Sequence, residues 1–262
     1  MNTVALGAHR AAFEVRIYFR SSDKVFFTFL FPVFMLAIFA SAFSSMNFGP
    51  GVTAADYYLP AMIAAGMLLS GLQNLGTEIA AERSDGTLKR LAGTPLSPAS
   101  YFIGKIVQVI VSGALQCLLL LVVARVLFNV KLPTTASAWG VFAWVFLLGL
   151  AASALLGIAI AQLPRDGKSA SAVIVPIALV LQFISGVYLP FSQLPHWMQN
   201  LASVFPLKWM AQGMRSVFLP DSFAANEIGG IWNLQGVAIA LGTWLVIGFI
   251  AVRLVFRWIR KN

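Results

Sequence analysis

Few side chains in this sequence are equipped for covalent chemistry. The histidines are His9 and His196, the single cysteine is Cys117 in an apolar run, and the carboxylates show no metal-ligand spacing. Cys117 reads as a small packed side chain, and His196, beside Trp197, as an interfacial residue rather than a proton carrier. Gly167-Lys168-Ser169 ends as a phosphate-binding loop ends. However, Gln162 stands at the first glycine position, and an apolar run precedes it where a strand is needed. Arg165-Asp166-Gly167-Lys168 reads better as a turn. No catalytic residue, metal site or cofactor site is expected in this chain.

The remaining candidates are polar groups set among apolar ones. Ser70, Gln73 and Thr77 fall on one side of an apolar run, with Asn74 and Glu78 nearby, and a later run holds Gln182, Ser185, Gly186 and Tyr188. In hydrocarbon such groups face partners or a water-filled route. They either bond between helices, at about 0.6 kcal/mol each on average, or line a path. A third feature is AERSDGTLKRLAGTPLSP, residues 81–98, charged between two apolar runs. Ser84-Asp85-Gly86 is turn chemistry, and Asp85 can cap a short helix carrying Leu88 and Leu91 on one face. Asp85 and Lys89 are spaced to pair. Thr94-Pro95 stops that helix, and Ser97-Pro98 starts the next. The product is a stiff charged elbow, or else a solvated loop.

Composition says what positions these groups. Apolar residues make up 59% of the 262 residues and charged ones 10%, against about 25% charged in soluble domains. Six runs reach the roughly 20 residues a bilayer crossing needs, at 25–44, 58–79, 103–128, 138–163, 170–190 and 232–256. The expected fold is an all-α polytopic membrane protein in one domain over 1–262. Residues 4–24 are expected as an amphipathic helix lying in the membrane interface, with Ala11, Val15, Tyr18 and Phe19 on one face. Pro32 can kink the first span, and Pro176 interrupts the fifth. Gly149, Ser153 and Gly157 recur every four residues on the fourth span, a face for close helix packing. Between spans five and six, Pro195 and Pro206 each sit where a short helix begins. Trp197, Phe205, Trp209 and Met214 suggest two half-buried, re-entrant helices there.

Of the 18 Lys and Arg, all but Arg125, Lys131, Lys208 and Arg215 fall on the side that holds both termini and the elbow. The positive-inside rule makes that side cytoplasmic, in a multi-pass protein of the cell membrane. The excess positive charge then reports topology and contact with anionic lipid. Nucleic acid is excluded as a partner, since no basic patch is interleaved with exposed aromatics.

Glu82-Arg83, Gly86-Thr87-Leu88, Arg90-Leu91, Pro95-Leu96-Ser97, Tyr101 and Gly104-Lys105 resemble the signature of ABC-2 type transport permeases, in particular the drug- and lipid-exporting, daunorubicin-resistance-like branch. The resemblance covers the whole chain. Arg20-Ser21-Ser22-Asp23-Lys24 departs from the basic-plus-proline pattern expected there, which puts the local geometry in question. The resemblance implies that ATP and Mg2+ are used by a separate ABC ATPase subunit, in two copies. That subunit would dock on Glu82, Arg83, Gly86, Thr87, Leu88, Arg90 and Leu91. A second permease copy, identical or a sister, is also implied. Spans one, two and five would form the route of a hydrophobic or amphiphilic substrate, along Ser70, Gln73, Asn74, Thr77, Gln182, Ser185 and Tyr188. The alternative is a secondary transporter or channel without ATP, but no Asp or Glu lies deep in a span as such proteins usually require. An intramembrane enzyme fits least.

Overall fold

The structure, a computed structural model, describes residues 3–256. Arg257, Arg260 and Lys261, assigned above to the side of the termini, lie outside the described residues. The elements in order are α1 (Thr3–Arg20), α2 (Ser22–Ala42), α3 (Ala54–Leu68), a π-helical segment (Leu69–Asn74), α4 (Leu75–Ser84) and α5 (Thr87–Ala92). They continue with α6 (Pro98–Phe128), α7 (Ala136–Ile160), α8 (Gly167–Ile184), α9 (His196–Val204), α10 (Pro206–Phe218) and α11 (Leu234–Val255). Short 3-10 turns join α8 to α9 and α10 to α11. No strand occurs among the described residues. Six spans are long and apolar enough to cross a membrane: α2, the continuous α3–π–α4 helix, α6, α7, α8 and α11.

Helix ends follow local chemistry. Thr53 Oγ1 accepts from Asp56 N while Asp56 Oδ2 accepts from Thr53 N, a reciprocal box that starts α3. Ser97 Oγ accepts from Ser100 N with Pro98 at the first turn, so α6 begins at 98 and not 103. Asp166 and Ser169 cap α8 in the same reciprocal way, so Gly167-Lys168-Ser169 is a helix start. Pro195 and Pro206 begin α9 and α10 as expected.

The α3–π–α4 helix is the centre of the bundle. In its most apolar stretch 89% of residues are buried, against 17% in α11 and 22% in α2. Around it pack α2, α10, α7, α6 and α8, with α1 lying along α6 and α11 along α7. The expected small-residue face of α7 is real. A Cβ on Gly157 would sit 2.1 Å from Gly71 O, and one on Gly71 would sit 2.5 Å from Ser153 Cβ. Backbones meet there because no side chain intervenes. Cys117 of α6 is buried in the apolar core.

Several expectations change. α8 ends at Ile184, not 190: Ser185 closes it, and Gly186 takes φ +76°, a turn that a Cβ would strain. Tyr188 thus lies beyond the helix. Pro176 does not interrupt α8, which runs through it. On α1 the buried face is Gly7, Ala11, Glu14 and Tyr18, with Val15 only half-buried and Phe19 exposed. α10 is almost wholly buried, including Lys208 and Arg215, since it packs between α3, α7 and α11.

Candidate functional site

Two constructions on the central helix carry the candidate function. At the elbow end, α4, packed against α7 and α8, turns at Asp85-Gly86, where Gly86 has φ +80° and Asp85 Oδ1 accepts from Thr87 N at 2.8 Å. Burial pushes the Asp85 carboxyl up, but the hydrogen bonds to Thr87 and the charge of Arg90 together outweigh it and hold the group below its usual range. Asp85, Lys89 and Arg90 are exposed, and only Leu88 of α5 is buried. Lys89 and Asp85 do not form the expected pair. Arg90 instead turns back, donating to Thr87 Oγ1 at 3.1 Å.

Beneath the elbow lies a group of charges that spacing along the chain does not reveal. Lys105 Nζ of α6 is 2.9 Å from Glu14, 2.7 Å from Glu78 and 2.7 Å from Glu82. Arg10 pairs with Glu14, and Lys24 lies 3.4 Å from Glu78. Tyr101 donates to Glu82 Oε2 at 2.5 Å. The carboxylates Glu14, Glu78 and Glu82 come close enough to hold a metal ion, a grouping that spacing along the chain does not announce. They arrive from α1 and α4, remote in sequence, and an ammonium occupies their centre. Charges balance: Arg10, Lys24 and Lys105 against the three Glu. Burial lifts the Glu14 carboxyl above its usual range despite the pull of Lys105.

This geometry divides the residues expected to dock a partner. Glu82 is spent on Lys105 and Tyr101, and Arg83 donates to Gln162 and to the Pro164 carbonyl. Both fix the elbow to the bundle and do not project from it. The exposed surface left to a partner centres on Asp85, Lys89 and Arg90, with Gly86, Thr87 and Leu91 half-buried.

The second construction is a sideways groove between α2 and α8. α2 packs on α3 and α8 on α4, leaving a gap between them. A cavity of about 230 Å³ there is lined by Thr28, Gln73, Asn74 and Gln182 with Phe27, Phe31, Leu69, Val175 and Leu179. A second of about 340 Å³, sharing Phe31 and Leu179, is lined by Met35, Phe39, Phe43, Phe183, Tyr188 and Leu189. One end is amide-rich and the other aromatic.

The expected polar stripe does not survive as one face. The π-helical turn holds extra residues per turn and so rotates the rest of the helix about its axis. Gln73 and Asn74 reach the groove, and Asn74 donates to Thr28 Oγ1 at 2.8 Å. Ser70 is buried away from it, and Thr77 bonds back to the carbonyls of Gln73 and Asn74. Gln182 is held by its own neighbourhood, donating to Ala178 O and accepting from Tyr188 Oη at 2.7 Å. Ser185 is buried at the helix end and does not line the groove. Sequence reasoning missed the buried polar face of α6, Lys105, Gln108, Ser112 and Gln116. Its signal was present: spacings of three, four and four put them on one helix face.

At the end of the bundle away from the elbow, three more charges are buried: Lys208, Arg215 and Glu227. Arg215 Nε is 2.5 Å from Glu227 Oε1, and the Lys208 ammonium lies 3.7 Å from the Trp209 ring centre and bonds Gln212. Burial pulls Lys208 down to about 8, with Arg215 adding to the effect and Glu227 opposing it. Between that value and 10.5, the ordinary lysine value, the folded chain binds fewer protons than the unfolded one, so stability rises with pH. From pH 8 to 10 the wild type should therefore gain roughly 2–3 kcal/mol relative to Lys208→Met. Parallel pH profiles of melting temperature for the two proteins would show that Lys208 is not desolvated.

The six spans, with a largely apolar groove opening sideways and a charged elbow at one end, define a multi-pass helical membrane protein. Residues 46–257 match the family model described as ABC-2 family transporter protein, and the chain belongs to that family. Over 196 residues it is 21% identical to the "Probable multidrug ABC transporter permease YbhR" of Escherichia coli K12, covering 75% of this chain and 52% of YbhR. It is 23% identical over 236 residues to the "Putative transport permease ycf38" of Porphyra purpurea, covering 85% of this chain and 81% of ycf38. The chain thus spans about half the length of YbhR. The family description and both relatives' names speak of transporters and transport permeases.

Proposed function

We propose that this chain is the permease of an ATP-driven exporter that moves a hydrophobic or amphiphilic molecule out of the cytoplasm or inner leaflet. ATP and Mg2+ are handled by a separate ATPase, in two copies, docking on the elbow. A second permease copy faces the groove, and both termini lie in the cytoplasm. α1 lies in the interface, and α9 and α10 form the re-entrant outer segment. The observation that carries the reading is the groove between α2 and α8, amide-lined at one end and aromatic at the other. An amphiphile fits such a surface with its polar end at Gln73 and Asn74 and its apolar end along Phe39, Phe43 and Phe183.

The test separates the two glutamines. The Gln73 side chain makes no hydrogen bond among the described residues and lines the groove, so Gln73→Leu should change which amphiphiles are exported while leaving melting nearly unchanged. Gln182 holds two bonds within the bundle, so Gln182→Leu should cost about 1–3 kcal/mol. Export assayed in vesicles with the ATPase present reads the first, and thermal unfolding the second. An unchanged export profile for Gln73→Leu removes the groove from the route. Arg90→Glu should leave the protein folded and abolish ATP-dependent export, because Arg90 is exposed on the elbow and its side-chain hydrogen bond among the described residues is to Thr87 within the same short helix. Normal export by that variant would reduce the elbow to a loop.

A further inference from the structure

We propose that the cavity beside Arg215, at the end of the bundle away from the elbow, binds an oxyanion: a phosphate or carboxylate group held by the Arg215 guanidinium. The cavity is about 90 Å³ and is lined by Arg215, Glu227, Tyr57, Ser192, Gln193 and Asn226, among others. That is several times the space one water needs and suits one phosphate-sized group.

Two independent observations carry the site. First, the Arg215 side chain is 1% exposed, yet only its Nε is paired, with Glu227. Nη1 and Nη2, the fork that grips carboxylates and phosphates in two bonds, have no partner. Buried donors left unmade are costly, and these belong to a side chain that lines the cavity. Second, the charge here does not close. Around Lys105 three cations meet three carboxylates. At this end the buried charges among the described residues are Lys208, Arg215 and Glu227, which sum to one positive charge; the surplus is on Lys208, which stands behind the wall, 5.5 Å from the ring of the lining residue Phe191. One bound anion completes both the hydrogen bonding and the charge. Ser192, Gln193 and Asn226 are exposed at the mouth, so a ligand can enter from outside the bundle. Glu227 Oε2 is also buried without a partner. It would repel a bare anion placed against it and would accept from an ammonium group, which favours a headgroup bearing both charges.

The test uses the full chain in lipid-depleted detergent, titrated at constant ionic strength with sodium phosphate, with O-phosphoethanolamine, and with the short-chain lipid dihexanoylphosphatidylethanolamine. At 100-fold over Kd, binding should raise the melting temperature by roughly 5–10 °C. A response to all three identifies a free oxyanion site, a response to O-phosphoethanolamine and the lipid but not to phosphate identifies a site that reads both headgroup charges, and a response to the lipid alone identifies a lipid headgroup site. Each supports the proposal only if Gln193→Trp, which blocks the mouth and leaves the Arg215–Glu227 pair intact, abolishes it. Arg215→Gln should abolish it too. If that variant does not fold, the Gln193→Trp result decides. No shift with any probe, or equal shifts in wild type and Gln193→Trp, overturns the site. Such a failure would leave the export reading untouched, because the groove shares no residue with this cavity.

Discussion

Lys105→Met should be among the most destabilising single changes in the chain, at about 3–5 kcal/mol. The side chain is fully buried, and its ammonium is the shared partner of Glu14, Glu78 and Glu82. Methionine fills the same space but leaves three carboxylates packed together with only Arg10 and the partly exposed Lys24 to answer them. The cluster binds α1, α4 and α6 to one another, so its failure should loosen the base of the elbow. Adding Glu78→Gln to Lys105→Met should recover part of the loss, since one uncompensated charge is gone. Lys24→Met should cost under about 1 kcal/mol, because Lys24 is 38% exposed and its contact is longer. Thermal melting and yield of purified protein measure all three. If Lys105→Met melts within about 1 kcal/mol of wild type, water reaches the cluster and its structural role fails.

Gly157→Val should be comparably severe, at about 3 kcal/mol or more. A Cβ there meets Gly71 O at 2.1 Å, and the next contacts are also backbone atoms, Gly71 C and Leu72 Cα at 3.1 Å. Flexible side chains can yield to overpacking at about 1–3 kcal/mol, but a backbone cannot, so α7 must separate from the π-helical turn. Gly140 on the same helix is the control. Nothing lies within 4 Å of a Cβ there, so Gly140→Ala should stabilise by about 0.5–1 kcal/mol. Equal melting of the two variants would mean that α7 does not approach the central helix as described.

Most of the architecture was legible from apolar run length and end chemistry. Ser97-Pro98, Asp85-Gly86, Pro195 and Pro206 each announced their helix ends because the signals are local. The repeat of Gly149, Ser153 and Gly157 announced a packing face for the same reason. Two kinds of information were not local. The π-helical turn at 69–74 has no residue signature in LSGLQN, and by breaking the helical period it separated Ser70 and Thr77 from Gln73 and Asn74. The meeting of Glu14, Glu78, Glu82 and Lys105 depends on how α1 and α4 approach α6, which spacing along the chain does not encode. The length of α8 was misjudged because VYL continues the apolar run after Gly186, although the glycine itself was a stop signal.

Cys117 carries a practical consequence. It is the one sulfur nucleophile in the sequence, and it is buried in α6, so a water-soluble maleimide should leave the folded wild-type chain unmodified. A cysteine introduced at an exposed position such as Lys168 would then be the sole labelling site, with no background to remove by mutagenesis. Pairs of such labels, one at the start of α8 and one near Trp197, would report distances across the protein without disturbing a single core side chain.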